Sequence, residues 1–185
     1  MKKILFAVTV AAAALVSTSA MAQAYVSADV GIGHASVDCS GTTSCDKNGT
    51  SFKVTGGYKL GYGLAAELGY IDFGKVTASD VGVSAKITAR AWTLGAAYEF
   101  PFTPEFAGVA RLGVASVDTK ASATVAGGGS GSVSETKTQA YYGLGANYAV
   151  AKNVKIEGGV DWSHASFDGS SAVIRSISAG VRYEF

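Results

Sequence analysis

The last nine residues of the chain, 177–185, alternate strictly between two kinds of side chain up to the final residue. One set is aliphatic or aromatic and consists of Ile177, Ala179, Val181, Tyr183 and Phe185. The other set is charged or small and consists of Ser178, Gly180, Arg182 and Glu184. Because successive side chains point to opposite faces of a β-strand, the segment predicts a strand with one apolar face. A soluble antiparallel sheet could show the same alternation. The rest of the chain is therefore needed to tell whether the apolar face packs in a soluble core or faces a membrane.

The N-terminus predicts export. Two lysines, Lys2 and Lys3, precede a mostly apolar run of 13 residues from Ile4 to Val16, and small residues follow as far as Ala22. The run is shorter than the roughly 20 residues of a transmembrane helix, whereas it fits a secretory signal peptide. We therefore expect residues 1–22 to be a signal peptide that is removed, with 23–185 as one domain. A second A-x-A sequence leaves open a mature chain that starts at Tyr25.

Composition narrows the fold class further. Without Lys2 and Lys3, the remaining 13 basic side chains nearly balance 14 acidic ones, so nothing points to nucleic acid as a partner. Glycine is abundant, with 24 residues, whereas proline occurs only twice. The chain also has 9 Tyr, 8 Phe and 2 Trp. Small residues suit a crowded barrel interior and aromatic residues suit a membrane interface.

Alternation with a period of two recurs along the chain and predicts eight strands. They lie at 24–37, 51–60, 63–73, 86–100, 105–118, 137–149, 154–167 and 172–185. Three connections are short, at 61–62, 101–104 and 151–153. The other four are mostly longer and rich in Gly, Ser, Thr and Asp, which predicts loops at 38–50, 74–85, 119–136 and 168–171. For 119–136, an extension of the fifth and sixth strands stays open as the alternative. Short turns at one end and longer loops at the other are typical of outer-membrane barrels.

The even-numbered strands share a further rhythm. Each has a tyrosine with an apolar or aromatic residue six positions before it, and these tyrosines are Tyr58, Tyr98, Tyr148 and Tyr183. All four strands run toward the short turns, so the tyrosines should lie at one level. We expect them to form an aromatic girdle at the periplasmic membrane interface, where amphipathic rings are favoured.

The signal peptide, the eight alternating strands and the aromatic C-terminus together resemble the OmpA-like transmembrane domain superfamily, which includes opacity proteins. The resemblance implies an all-β fold: an eight-stranded antiparallel up-and-down barrel in the Gram-negative outer membrane, with short periplasmic turns and longer extracellular loops. It implies contact with outer-membrane lipids and lipopolysaccharide. It also implies that Ile177, Ala179, Val181, Tyr183 and Phe185 are read by the barrel-assembly machinery. Since the sequence stops at Phe185, no peptidoglycan-binding domain is expected.

Eleven charged residues fall on the predicted inner face. They are Asp29, Lys53, Lys59, Glu67, Glu99, Arg111, Lys155, Glu157, Asp161, Arg182 and Glu184. Unpaired charges are costly to bury, whereas mutually paired ones can fill a solid polar core. We therefore expect a salt-bridge network that plugs the lumen of a structural or surface-interaction barrel, whose loops could meet an unknown extracellular ligand. Alternatives are a small gated pore lined by the same charges and a secreted soluble β-barrel or sandwich.

The remaining candidate sites are few. Cys39 and Cys45 enclose five residues and predict a disulfide in an exported protein; a metal pair would lack a nearby His or third Cys. His164 and Ser166 resemble part of the lipid A 3-O-deacylase motif, but the expected acid is missing, because position 178 is Ser. We expect no enzyme activity, cofactor or metal. Arg90 and Arg175 fall at outward positions and should lie at the lipid headgroup level.

Overall fold

The structure is a computed structural model that describes residues 23–36, 44–80, 83–125, 128–167 and 170–185. Within these ranges it contains nine strands and no helix long and apolar enough to cross a membrane. The strands are β1 (Ala24–Ala35), β2 (Ser44–Asp46), β3 (Asn48–Gly61), β4 (Leu64–Asp80), β5 (Val83–Pro101), β6 (Phe106–Val125), β7 (Ser130–Ala151), β8 (Val154–Phe167) and β9 (Ser170–Glu184). The expected signal peptide, 1–22, lies outside the described residues.

The eight long strands form a closed antiparallel barrel. Each pairs with its neighbours in sequence, and β9 pairs with β1 from Glu184–Tyr25 to Ile174–Ala35, which closes the ring. The short strand β2 adds to the far end of β4. The eight-stranded antiparallel fold predicted from the sequence is therefore confirmed.

The outer wall of the barrel is apolar, and many of the side chains buried inside are polar or charged. Leu68, Leu94 and Leu112 are each more than half exposed on the outer wall. By contrast, Ser27, Asp29 and Arg182 are each about 1% exposed. A soluble barrel would bury its apolar face instead, so this arrangement suits a wall that faces lipid.

The connections differ between the two ends. At one end, which we call the turn end, the chain reverses at 62–63, 102–105 and 152–153, close to the predicted short turns. At the other, which we call the hairpin end, β4 and β5 extend to Asp80 and from Val83, and β6 and β7 to Val125 and from Ser130. The loop predicted at 74–85 is therefore wrong for 74–80 and 83–85, which are strand. For 119–136, the alternative of a strand extension is correct at 119–125 and 130–136. The strand β2 and the start of β3 fall within the predicted loop 38–50.

Cross-strand pairing explains this correction. Thr119 pairs with Glu135, and the ladder continues as far as Thr124 and Ser130. The segment is rich in Ser and Gly, which suggested a loop, but its Thr and Val residues favour strands once a partner strand is present. Local composition alone does not show that partner.

A bulge in β4 changes which residues face the lumen. The ladder with β5 shifts between Asp72 and Lys75, where Gly74 has a φ of 84° and donates a 2.9 Å backbone hydrogen bond to the Asp72 carboxylate. A left-handed glycine is typical of such bulges. Strict alternation from Phe73 would place Lys75 inside. The bulge instead leaves Lys75 exposed and buries Val76.

Strands β7 and β8 separate toward the hairpin end. Among the described residues their ladder begins at Tyr142–Trp162 and runs to the turn end. Beyond it, β7 pairs with β6, and β8 pairs with β9. Two side-chain hydrogen bonds cross the gap: Gln139 donates to Ser166 at 2.8 Å, and Ser163 donates to the Ala140 carbonyl at 3.0 Å.

Candidate functional site in the barrel lumen

The eleven charged side chains assigned to the inner face all lie in the lumen and all make ion pairs. Eight of them form one chain in which cations and anions alternate. From the turn end inward the order is Lys59, Glu184, Lys155, Glu99, Arg182, Glu157, Arg111 and Glu67. The successive N···O distances are 2.6, 3.1, 2.7, 3.1, 2.6, 3.5 and 3.0 Å.

The other three charges form a smaller cluster farther from the turn end. The Lys53 ammonium lies 2.8 Å from an Asp161 oxygen and 3.8 Å from an Asp29 oxygen. The Tyr141 hydroxyl donates to the second Asp161 oxygen at 2.6 Å. The lysine of β3 therefore meets an aspartate of β8 across the lumen, a contact that no local sequence pattern shows.

Two tyrosines also belong to this network, and they were not among the residues predicted from the sequence. Besides Tyr141, the Tyr25 hydroxyl donates to Glu67 at 2.6 Å, and the Arg182 guanidinium lies 4.4 Å from the centre of the Tyr25 ring. Both rings are buried. The same alternation that assigned the charges also places Tyr25 and Tyr141 inward, so the signal was present.

The chain of charges becomes drier toward the middle of the barrel. The Lys59 side chain is 37% exposed at the turn end, whereas the Arg111 side chain is 5% exposed and that of Glu157 is 4%. Charges removed from water interact more strongly with each other. A buried charge that lost its partner would destabilise the folded barrel. Their geometry indicates a cross-braced polar core in the half of the lumen nearer the turn end.

Above this polar core lies an apolar layer. It is made of Ile71, Phe73, Ala89, Ala91, Ala115, Val117, Tyr141 and Ile174, each no more than 7% exposed. This layer was not predicted either, because the interior assigned from the sequence included only charged residues and left out the aliphatic residues at inward positions. Two successive layers thus cross the lumen: ion pairs nearer the turn end and apolar side chains beyond them.

Aromatic side chains lie on the outer wall at two levels. Tyr58, Tyr98, Tyr148 and Tyr183 point outward near the turn end and are 40–52% exposed. Toward the hairpin end, Tyr70 meets Trp92 edge to face at 5.1 Å, and Tyr142 stacks on Trp162 at 5.7 Å. Aliphatic side chains such as Leu94 and Ile177 cover the wall between these levels. Two girdles around an apolar band suit a bilayer.

The other predicted residues lie in separate places. Ile177, Ala179, Val181, Tyr183 and Phe185 all face outward on or just after β9. Cys39 and the side chain of Cys45 lie outside the described residues, so the disulfide stays a prediction. Ser166 accepts its hydrogen bond from Gln139, while His164 pairs in the ladder with Val173. Arg90 and Arg175 are exposed on the outer wall, and Arg90 pairs with Asp72 at 3.0 Å.

Comparisons with known proteins agree with this architecture. The family model of the OmpA-like transmembrane domain matches residues 19–185. Among curated proteins, none matches the sequence significantly. Neisserial surface protein A, NspA, is a similar solved structure, with a TM-score of 0.60 and 22% identity over 88% of this chain and 97% of that one.

Two further solved structures are similar in fold. Ail, the attachment invasion locus protein of Yersinia pestis, has a TM-score of 0.55 and 18% identity over 87% of this chain and 99% of that one. The N-terminal β-barrel domain of Pseudomonas aeruginosa OprF has a TM-score of 0.53 and 16% identity over 87% and 97%. At these identities the likeness shows a shared fold alone.

Proposed function

Because this chain belongs to the OmpA-like transmembrane domain family and is a β-barrel of the outer membrane, we propose that it is a structural and surface-interaction barrel with a closed lumen. The main support for a closed lumen is the alternating chain of eight ion-paired charges from Lys59 to Glu67, and the apolar layer adds to it. The first crosses the polar half of the lumen, and the second lies above it.

An ion that crossed this lumen would meet two successive barriers. It would first have to displace a partner in pairs such as Arg182–Glu157, whose side chains are 2% and 4% exposed. Leaving one partner of a buried pair uncompensated costs about 3–5 kcal/mol. It would then have to shed water to pass Ile71 and Val117, which are almost fully buried. Both barriers oppose steady conduction.

The barrel reconstituted in planar bilayers is therefore expected to show no stepwise single-channel current. The variants Glu67→Gln and Arg111→Gln should be equally silent, because the apolar layer remains in place. Folding and insertion would be verified beforehand by heat-modifiable migration of the same sample on gels, so that silence reflects a closed barrel.

The opposite outcome would establish the alternative function. Stepwise currents from the native barrel, with a conductance or ion selectivity that changes in Glu67→Gln or Arg111→Gln, would show a gated pore lined by these charges. They would exclude the closed-lumen proposal.

We propose no hydrolytic activity for the His164–Ser166 segment. The Ser166 hydroxyl accepts a hydrogen bond from Gln139 of β7, and His164 and Ser166 lie on β8 at the hairpin end. Glu184 is at the turn end, where it pairs with Lys59 and Lys155. A nucleophilic hydrolase needs its nucleophile, base and orienting acid within hydrogen-bond reach. These side chains do not meet that requirement.

We further propose that β9 carries the signal for membrane assembly. Its outward face presents the apolar set Ile177–Phe185, and the same strand closes the barrel through its ladder with β1. The Phe185 amide donates to the Ala24 carbonyl at 3.0 Å. A terminal strand with an exposed apolar face is available to the assembly machinery until this ladder forms.

Lipopolysaccharide is the partner that we propose for the outer wall near the hairpin end. Two shallow grooves flank the ridge formed by Lys86, Thr88 and Arg90. One has a volume of about 400 Å³ and is also lined by Lys75, and the other has about 260 Å³ and is also lined by Lys120. Thr88 pairs with both Lys75 and Lys120 in the ladders.

The charge of this surface fits a phosphorylated lipid. Its four cations, Lys75, Lys86, Arg90 and Lys120, outnumber the two nearby carboxylates of Asp72 and Asp118. It begins next to the Tyr70–Trp92 pair, where an aromatic girdle marks the end of the apolar band. A basic residue near an anionic surface contributes about 1 kcal/mol. Two phosphates on one lipid could each meet one groove.

The double variant Lys86→Gln/Lys120→Gln is expected to bind diphosphorylated lipid A about 25-fold more weakly than the native barrel, since about 1 kcal/mol is lost per lysine. Native mass spectrometry of the purified barrel with added lipid A would measure this. Lys152→Gln, in the exposed turn at the opposite end, is the matched control. Equal binding of lipid A without phosphates, or no loss in the double variant, would contradict the proposal.

A further inference from the structure

A cavity of about 490 Å³ occupies the lumen at the hairpin end, beyond the apolar layer. Its walls are mainly hydrocarbon and include Phe73, Val76, Ile87, Ala89, Ala172 and Ile174. Sites for small molecules typically have volumes of about 300–1,000 Å³ and mainly apolar linings. This cavity is set apart from the ion-paired core, because Phe73, Ala89 and Ile174 line it and belong to the buried apolar layer.

One polar group within the cavity lacks a partner. Thr119, on β6, lines the cavity and is 3% exposed, yet its hydroxyl oxygen makes no hydrogen bond among the described residues. Buried hydroxyl groups are normally paired, and leaving one unpaired is unfavourable. The oxygen itself is covered in this structure, so the Thr119 side chain must rotate about its Cα–Cβ bond to present it; a hydroxyl or carbonyl on a bound molecule would then supply the missing hydrogen bond.

The remaining polar lining lies toward the rim. His34 belongs to it, and its ring nitrogen Nδ1 lies 2.9 Å from the Asn48 side-chain oxygen, on the exposed side. Among the described lining residues, charged groups are limited to Lys75, which is exposed. An ionised ligand would thus find no buried counter-ion here, whereas an uncharged ring or branched chain would be enclosed on several sides.

We propose that this cavity is a binding site for a small, uncharged, mainly apolar molecule that carries one hydroxyl or carbonyl group. The apolar part packs on Phe73, Ile87 and Ile174, and the polar group hydrogen-bonds with Thr119. This site does not require a closed lumen, since it lies beyond the apolar layer, toward the hairpin end.

The probe for this site is 1-naphthol, and naphthalene is its counterpart without a hydroxyl. The full barrel, with ¹³C-labelled Ile and Val methyl groups, would be titrated in lipid nanodiscs by NMR. We expect saturable shifts at Ile87, Ile174 and Val76, and none at Val109, which is buried near the turn end. Shifts spread over outward methyl groups such as Ile177 would indicate partition into lipid only and would overturn the proposal.

Two variants separate the parts of the inference. Thr119→Val keeps the side-chain shape and removes the hydroxyl, so it should weaken 1-naphthol binding about tenfold and leave naphthalene binding unchanged. Ala172→Phe should fill the cavity and abolish both titrations. Ala96→Phe, on the outer wall, is the matched control and should bind like the native barrel. Binding that survives Ala172→Phe, or equal loss of both probes in Thr119→Val, would contradict the site described here.

Discussion

Replacing Arg182 with methionine is expected to lower the free energy of unfolding of the barrel by about 3–5 kcal/mol. Arg182 is 1% exposed and holds three groups together. It lies 2.6 Å from Glu157 and 3.1 Å from Glu99, and it covers the Tyr25 ring. Methionine keeps much of the volume, but among the described residues it leaves Arg111, at 3.5 Å, as the remaining ion-pair partner of Glu157. Urea unfolding in phospholipid vesicles, followed by tryptophan fluorescence, would measure the change.

Three further variants test the cause. Arg175→Met removes an exposed arginine from the outward face of the same strand and should change the unfolding free energy by less than about 1 kcal/mol. Arg182→Lys keeps the positive charge, so its loss should be intermediate. The double variant Arg182→Met/Glu157→Gln should recover part of the loss, because the stranded carboxylate is gone. An Arg182→Met barrel as stable as the native one would show that the ion-pair chain does not brace the lumen.

Replacing Gly180 with alanine is expected to prevent the barrel from closing cleanly. Gly180 faces the lumen at the β1–β9 seam, where an added Cβ would overlap the Ala28 carbonyl oxygen and lie 2.6 Å from the Asp29 Cα. These are backbone atoms and cannot swing aside. We expect a loss of about 3 kcal/mol, at the upper end of overpacking penalties, and a larger unfolded fraction on unheated gels.

Gly158→Ala provides the same chemical change without the collision. Gly158 faces outward on β8, and its added Cβ would lie no closer than 3.5 Å to any neighbouring atom. Its unfolding free energy should stay within about 0.5 kcal/mol of the native value. If both alanine variants folded equally well, the close approach of β1 and β9 would not constrain position 180.

Alternation predicted the faces of the strands and hence which charges point inward. It could not predict their partners, because the pairing of Lys53 with Asp161 depends on how β3 and β8 are offset across the closed ring. The bulge at Gly74 shows a second limit. One left-handed residue shifts the alternation, so Val76 and not Lys75 turns inward.

The length of the strands was the other feature that the sequence alone did not predict. Thr119 fell in a predicted loop and was therefore absent from every candidate site, although it lies in a ladder opposite Glu135 and lines a cavity. A strand rich in Ser and Gly is stabilised by its neighbour more than by its own residues. Such non-local stabilisation is invisible when segments are considered one at a time.

The separation of β7 from β8 has a consequence for the part of the barrel farthest from the turns. From Ser130 to Ala140, β7 has a ladder partner on one side only among the described residues, so about half of its backbone N–H groups point toward the gap without a strand beside them. Water should exchange these amide hydrogens first. An open edge is also a template for aggregation, which charged side chains oppose, and β7 carries the 2.8 Å Glu135–Lys137 pair there. The exposed edge is thus less protected from water than a strand paired on both sides, and its charged pair opposes the addition of another chain.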